Sequence, residues 1–571
     1  MWGLGDMSNT TAVNKFLPGI RGYRFRFDWK EWETARGTFT NSALQSEFNK
    51  AITNNLYIDF QVFVAPTDVN TPNDNNTPLW LFSAPDSVPL VETNDATIKF
   101  FPYYFNANYK TRYFNFLDHI LSLMVSQTNP NKAFFLSWES AEGTTGDTGP
   151  YKGNPLNNAY NISDNAWSDF KRDEVWIPYY NAYAAQMPNM RVSINPGNDG
   201  ENFQWALDNI PNAWLKQGHP THTYSLSGEL FYVNRLKALA ESSGSGLNNR
   251  VYGEFENTLN LSWWEEADLQ NFFAMLCSVC HHYIDMLNIS SANSQSLVNN
   301  DMTAYNFVNK YMGVRTPQES TKAFLAFRMM IDLADTTKWS EGTYGNLIAS
   351  GDLSSYNTKK NNILSSGDPQ TVIDQNLTDL LVDGNTGNTT YVNPARITAL
   401  RAAFPDAEWH VVDQQQQQDA YNQEFGIYLI PDNYQRWLTQ FNPEGTSEGV
   451  WKIGPTNQLY GRYARQFKIT GSSGEMFFTL DPDLAFTGGD LKISITYYDN
   501  SDGRWSLNVA TSKGKSEIMV NQNKGTNTFI TKSVTSSCMV LGGQLAHSSD
   551  ITLKYLGDDN TSFVLMEVEE V

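Results

Sequence analysis

Along the N-terminal half of the chain, short runs suited to strands alternate with longer amphipathic stretches. Parallel strands joined by helical crossovers satisfy that rhythm throughout. The strand-like runs fall at residues 2–4, 23–28, 57–64, 133–138, 191–194, 221–225, 250–254 and 284–289. Helical spacing fills 113–127, 166–186 and 263–283, the last opened by a capping box of Ser262 and Glu265. Eight such strands with intervening helices make a (β/α)8 barrel, expected over residues 1–315.

Two glutamates lie just beyond strand-like runs. Lys132-Ala-Phe-Phe-Leu-Ser-Trp138 leads into Glu139-Ser-Ala-Glu142, and Arg250-Val-Tyr-Gly253 leads into Glu254-Phe-Glu256. Hydrolysis of a glycosidic bond needs two carboxyl groups about one sugar ring, one to protonate the leaving oxygen and one to attack or to activate water. Glu142 and Glu254 are the candidate pair, with Glu139 and Glu256 as rivals beside them.

Other residues converge on the same strand ends. In Tyr23-Arg-Phe-Arg-Phe-Asp28-Trp29 the period of two sends the phenylalanines to one face and Arg24, Arg26 and Asp28 to the other. Helices cover a barrel strand outside, so the charged face points in, either to hold a carboxylate ionised or to form an ion-pair network. His222 and Tyr224 are read beside strand six and suit hydrogen bonds to a carboxylate or a sugar hydroxyl. Trp29, Trp138, Trp263 and Trp264 follow or end strand runs and are candidate stacking faces for sugar rings. After Glu142, a Gly-rich loop carries Asp147, Tyr151 and Lys152 and reads as a sugar-binding loop.

On these residues the region resembles the clan A (β/α)8 glycoside hydrolases. In that clan the acid/base Glu follows strand four and the nucleophile Glu ends strand seven. The Arg-rich strand two running into Trp29 and Glu33, the His222-Thr-Tyr224 motif, Glu142 and Glu254 carry the likeness. Within the clan it resembles most the β-galactan-cleaving enzymes of the agarase, porphyranase and β-galactosidase type. The resemblance implies a retaining hydrolase of an agar, porphyran or carrageenan class of glycan, with Glu142 as acid/base and Glu254 as nucleophile. Ala141 stands where the clan usually has Asn, which keeps open a carbohydrate-binding barrel without catalysis.

Composition narrows the remaining classes. A formal net charge of −21 opposes nucleic acid as a partner, since phosphates demand a basic surface. No apolar run is long enough for a transmembrane segment, and no signal peptide opens the chain. Because Met1 abuts the first strand run, the protein is expected to be extracellular or periplasmic, its export segment removed. No cofactor or metal is expected. Cys277-Ser-Val-Cys280-His281 matches a haem-attachment spacing but lies in an apolar helical run, so both thiols are read as buried small hydrophobes.

Beyond residue 315 the texture changes. Residues 321–333 read as a helix, and Gln414 to Gln418 form a short solvated patch. Alternating runs return at 476–480, 491–498, 505–509, 551–555 and 563–567, the pattern of a β-sandwich. The expected organisation is therefore a barrel at 1–315, a mixed connecting or accessory region at 316–460, with part of it β-sandwich as an alternative, and a sandwich at 461–571. Asp499-Asn-Ser-Asp502-Gly503 reads as a hairpin turn before it reads as a calcium loop.

Overall fold

The computed structural model describes residues 2–4, 21–64, 76–94, 99–141, 154–187, 191–194, 213–218, 250–255, 268–281, 284–290, 303–314, 316–328, 433–451, 453–455, 457–461 and 463–571. The chain forms two compact units. One is drawn from residues 1–218, 242–256 and 286–296, the other from 219–241, 257–285 and 297–571.

The first unit is mixed α/β. The strands of its parallel sheet are β1 (Trp2–Leu4), β2 (Gly22–Asp28), β3 (Tyr57–Phe63), β4 (Phe135–Ala141), β5 (Arg191–Ile194), β6 (Ala213–Gly218), β7 (Arg250–Phe255) and β8 (Ile284–Ser290). They follow the order β1-β8-β7-β6-β5-β4-β3-β2, and the path closes because β1 pairs in parallel with both β8 and β2. The run expected as strand six, 221–225, lies outside the described residues, and Ala213–Gly218 takes that place in the sheet. Pro220 has no amide donor, so the stretch that can bond along its whole length ends before it. Strand four continues past Trp138, where apolarity stops, because Glu139 and Ala141 still pair Gln61 and Phe63 of β3.

Helix α1 (Asn41–Thr53) buries Leu44, Phe48 and Ala51, the spacing of one helical face. Phe48 meets Phe25 of β2 edge-on at 5.6 Å and Phe135 of β4 at 4.8 Å. Each such pair contributes about 0.5–1.5 kcal/mol beyond its burial. Helix α2 (Ala107–Val125) starts at Asn106, whose side-chain oxygen accepts from the amides of Asn108 and Tyr109 at 2.9 and 3.2 Å. Helices α3 (Asp164–Phe170) and α4 (Asn181–Gln186) are joined by a π-helical stretch, Lys171–Tyr180, with Pro178 inside it. Pro178 cannot donate to an α-helical bond, which favours the wider turn. Tyr179 then donates to Phe114 O and Asp118 Oδ1 at 3.1 and 3.2 Å, docking this stretch on α2.

The second unit carries helices α5 (Asp268–His281) and α6 (Thr303–Tyr311) and two antiparallel sheets. The strands are β9 (Lys322–Ala326), β10 (Tyr434–Arg436), β11 (Leu438–Gln440), β12 (Ser447–Trp451), β13 (Tyr463–Phe467) and β14 (Glu475–Leu480). They are followed by β15 (Leu491–Asp499), β16 (Arg504–Thr511), β17 (Gly514–Gln522), β18 (Thr528–Ser536), β19 (Ile551–Gly557) and β20 (Ser562–Glu570). One sheet runs β10-β9-β20-β13-β12, with β15 between β20 and β18. The other runs β11-β14-β19-β16-β17. Strands from both sides of residue 461 thus share each sheet.

Both sheets contribute to one core. Trp505 of β16 meets Tyr497 of β15 at 5.4 Å and Phe563 of β20 at 5.3 Å, and all three are fully or almost fully buried. The helix expected at 321–333 is replaced by strand β9 over its described part. Ala323, Phe324, Leu325 and Ala326 are all buried, and a run covered on both faces has no period by which strand and helix can be told apart. The segment after Asp499 is likewise not a hairpin, since β15 and β16 belong to different sheets. The Asp499 carboxylate is taken up by the amides of Lys524 and Thr526 and the Thr526 hydroxyl, at 2.7, 3.2 and 2.6 Å. Burial opposes its charge, but these bonds outweigh burial and hold its carboxyl below the usual range.

Helices α5 and α6 lie within this unit. Phe307 and Tyr311 of α6 meet Phe324 of β9 at 5.0 and 4.6 Å, and Arg436 Nη1 donates to Cys280 O at 2.6 Å. Cys277 and Cys280 are buried and unbridged. Burial pushes the Cys277 thiol well up and the Cys280 thiol up to about 12.

Trp505→Ala is expected to lower the stability of the second unit by about 3–5 kcal/mol, read as a shift in its denaturant transition. Asp499→Ala is expected to remove an acid-labile contribution. Because the folded carboxyl titrates below the unfolded one, that contribution is full above about pH 3.9 and is lost as pH falls through the folded value. Urea midpoints of wild type and variant should therefore converge in strong acid, and a constant difference at all pH values would contradict this role.

Candidate functional site

The polar interior of the parallel sheet is built from alternation. In β3, Ile58 and Val62 are buried and join the cluster containing Phe48 and Phe135, so the alternate residues Asp59 and Gln61 face the other side. Asp59 is 0% exposed and Gln61 2%. Their Cα partners are Arg24 and Arg26 on β2, and Ser137 and Glu139 on β4. Burying such groups is tolerable only among polar neighbours. The packing of Phe25 against α1 agrees with the outward phenylalanine face expected for strand two. Asp59 and Gln61 were not among the expected site residues, although Tyr-Ile-Asp-Phe-Gln-Val-Phe carries the same period-two signal as strand two.

Among the expected residues, Glu254 lies on β7 with Gly218, the last residue of β6, as its Cα partner. Trp138 and Glu139 lie on β4, opposite Phe60 and Gln61 of β3. Glu142 follows Ala141, the last residue of β4. Glu142, Asp147, Tyr151, Lys152, His222, Tyr224, Glu256, Trp263 and Trp264 lie outside the described residues. Gly218 is the last residue of β6, and the run expected to carry His222 and Tyr224 begins beyond it in the sequence.

Trp29 is a correction. It was expected as a sugar-stacking face, and instead it is fully buried, stacked on Phe116 of α2 at 5.0 Å with Tyr109 edge-on at 5.9 Å. The one-turn helix Trp29–Trp32 that follows β2 folds the indole back onto α2. Its Nε1 donates to Glu33 Oε2 at 2.8 Å, and the Gly37 amide donates to Glu33 Oε1 at 2.8 Å. Burial nonetheless dominates and raises the Glu33 carboxyl above its ordinary value, against the opposing pull of these bonds and of Arg112.

Among the described residues no cluster of His, Cys, Asp and Glu could hold a metal ion, and no helix is long and apolar enough to cross a membrane.

No protein-family model matches the chain, and no curated protein matches it. Among solved structures, it is similar to the catalytic domain of a β-amylase from Paenibacillus polymyxa, at 13% identity and a TM-score of 0.36, over 54% of this chain and 98% of that one. It is also similar to the carbohydrate-binding module TmCBM61, solved in complex with β-1,4-galactotriose, at 12% identity and a TM-score of 0.17, over 24% of this chain and 88% of that one.

Trp29→Phe is expected to lower the stability of the first unit by about 1–3 kcal/mol, read as a shift in its unfolding midpoint, through the lost bond to Glu33 and the smaller ring. Oligosaccharide affinity at the glutamate-bearing strand ends should stay unchanged. Weaker affinity at unchanged stability would return Trp29 to the cleft.

Proposed function

We propose that this chain is a retaining glycoside hydrolase whose first unit is a (β/α)8 barrel. One observation carries the reading: in a single parallel sheet that closes on itself, Glu254 sits near the C-terminal end of β7 and Glu142 directly follows the C-terminal end of β4. That is the end at which barrel enzymes gather their chemistry.

The roles follow from what each carboxyl needs. Glu254 is the nucleophile and must be ionised, which Arg24 and Arg26 of β2, with His222 or Tyr224, would favour by charge-assisted hydrogen bonds. Glu142 is the acid/base. It begins a Gly-rich loop, and the negative charge of Glu254 would raise its pKa so that it holds the proton a leaving oxygen requires. Protonation and attack on the anomeric carbon form a glycosyl-enzyme, which water opens once Glu142 has turned base. The substrate class is a β-linked galactan of the agar, porphyran or carrageenan kind, and it rests on the sequence resemblance. Substrates of that size suit an exported enzyme, extracellular or periplasmic. Ala141, in place of the usual Asn, favours a second reading in which the barrel binds glycan without cleaving it.

The two readings part on turnover of an agar, porphyran and carrageenan oligosaccharide panel. Wild type should cleave at least one member and Glu254→Gln none, whereas the binding-only reading requires that wild type cleave none. A retaining mechanism further requires carboxyl groups about 5–5.5 Å apart, against about 6.5–9.5 Å for inversion, measurable in a crystal structure. Glu142→Ala should keep activity on substrates with activated leaving groups. Azide should rescue Glu142→Ala with retained configuration and Glu254→Ala with inverted configuration, and the opposite products would exchange the two roles.

A further inference from the structure

A cavity in the first unit is lined by residues outside the strands that carry Glu139 and Glu254. The one-turn helix Trp29–Trp32 leads from Asp28, the end of β2, into a two-stranded hairpin, Glu33–Ala35 with Thr38–Phe39. Between that hairpin and α2 is a cavity of about 350 Å³. This is near the lower end of small-molecule sites, which run from about 300 to 1,000 Å³, and suits one ring better than a chain.

Its walls are held by bonds of their own. Asp86, 4% exposed, takes both guanidinium groups, Arg36 Nη2 on one oxygen and Arg112 Nε on the other, the latter at 2.9 Å. Each arginine is about a third exposed or less and has further N–H donors to offer. On the same wall Asp118 accepts from Tyr179 at 3.2 Å and keeps acceptor capacity on its carboxylate. Asn115 lies exposed between Arg112 and Asp118 on α2 and lines the cavity with them. Phe39 supplies an aromatic wall, stacked on the His119 ring at 3.6 Å, while His119 Nε2 bonds Asn41 Oδ1 at 2.7 Å.

Charge decides the class of ligand. Arg36 and Arg112 are both paired with Asp86, and Glu33 and Asp118 add two further carboxyl groups to the walls. Two guanidinium groups against three carboxyl groups leave no positive surplus to hold an anion, and the guanidinium groups themselves oppose a cation. Donors and acceptors in near-equal supply beside an aromatic face suit a ligand whose every polar group both donates and accepts, which describes a ring of hydroxyls.

We infer that this cavity is a second sugar-binding site, taking one neutral pyranose residue between the Glu33–Phe39 hairpin and α2, outside the cleavage residues. Its choice of ligand class rests on the carbohydrate reading above, but its occupancy does not require hydrolysis. The hairpin leaves the same end of the sheet that presents Glu254, so the site can hold glycan beside the rim.

The test uses the full chain carrying Glu254→Gln, titrated with methyl β-D-galactopyranoside, methyl β-D-glucopyranoside and sodium galacturonate. The His119 ring signals, assigned in NMR spectra by His119→Gln, report on the cavity. At least one neutral glycoside should shift them saturably. Asn115→Trp, a filling substitution at an exposed helix position, should weaken that binding at least tenfold at unchanged melting temperature. No saturable shift with either neutral glycoside, a response to galacturonate alone, or an Asn115→Trp titration like its parent would overturn the inference. If the azide and turnover experiments fail while the His119 titration persists, the hydrolase reading falls and this site stands.

Discussion

Phe48 decides which face of the parallel sheet is sealed. By meeting Phe25 and Phe135 edge-on it presses α1 against β2 and β4, and the strict alternation of strands then sends every second residue of β3 to the opposite side. Asp59 and Gln61 are interior because Ile58 and Val62 are exterior. A polar interior is therefore a consequence of an apolar contact outside it. The same logic makes a one-residue slip in β3 costly, since it would place a carboxylate against α1 and an isoleucine among polar partners.

Much of the parallel sheet could be read from sequence because strands buried on both faces leave compact runs between breakers. Arg191–Ile194 appears with the expected limits, and β2, β3, β7 and β8 lie within a residue of theirs at each end. Errors came where apolarity and hydrogen bonding part company. Strand β4 runs on through Glu139, and β6 was displaced by a run that follows a proline. Strand β9 has no alternation to read, and β17 and β18 are exposed enough that polar residues fill most positions. Of the candidate site, the strand positions of Arg24, Arg26 and Glu254 were legible. The burial of Trp29 was not, because it depends on α2, which is far away in the chain.

The same distance hid Asp86. Nothing local marks it as a bridge, yet it joins an arginine of the hairpin to one of α2. Buried ion pairs of this kind confer geometry more than stability, since desolvation offsets much of their attraction. Here the geometry is that of a cavity wall, in which one carboxylate fixes the two guanidinium groups that line it. In the second unit Asp499 organises a loop in a comparable way, with backbone amides in place of arginines.

The buried pair Cys277 and Cys280 makes the second unit its own unfolding clock. Only a thiolate reacts quickly with an alkylating reagent, and while α5 stays packed both sulfurs are buried and burial disfavours their ionisation. Modification must wait for that helix to open, so its rate measures the frequency of local opening, not the intrinsic reactivity of a thiol. Cys538, exposed near the end of β18, would react first and serve as the internal reference against which that slow step is timed.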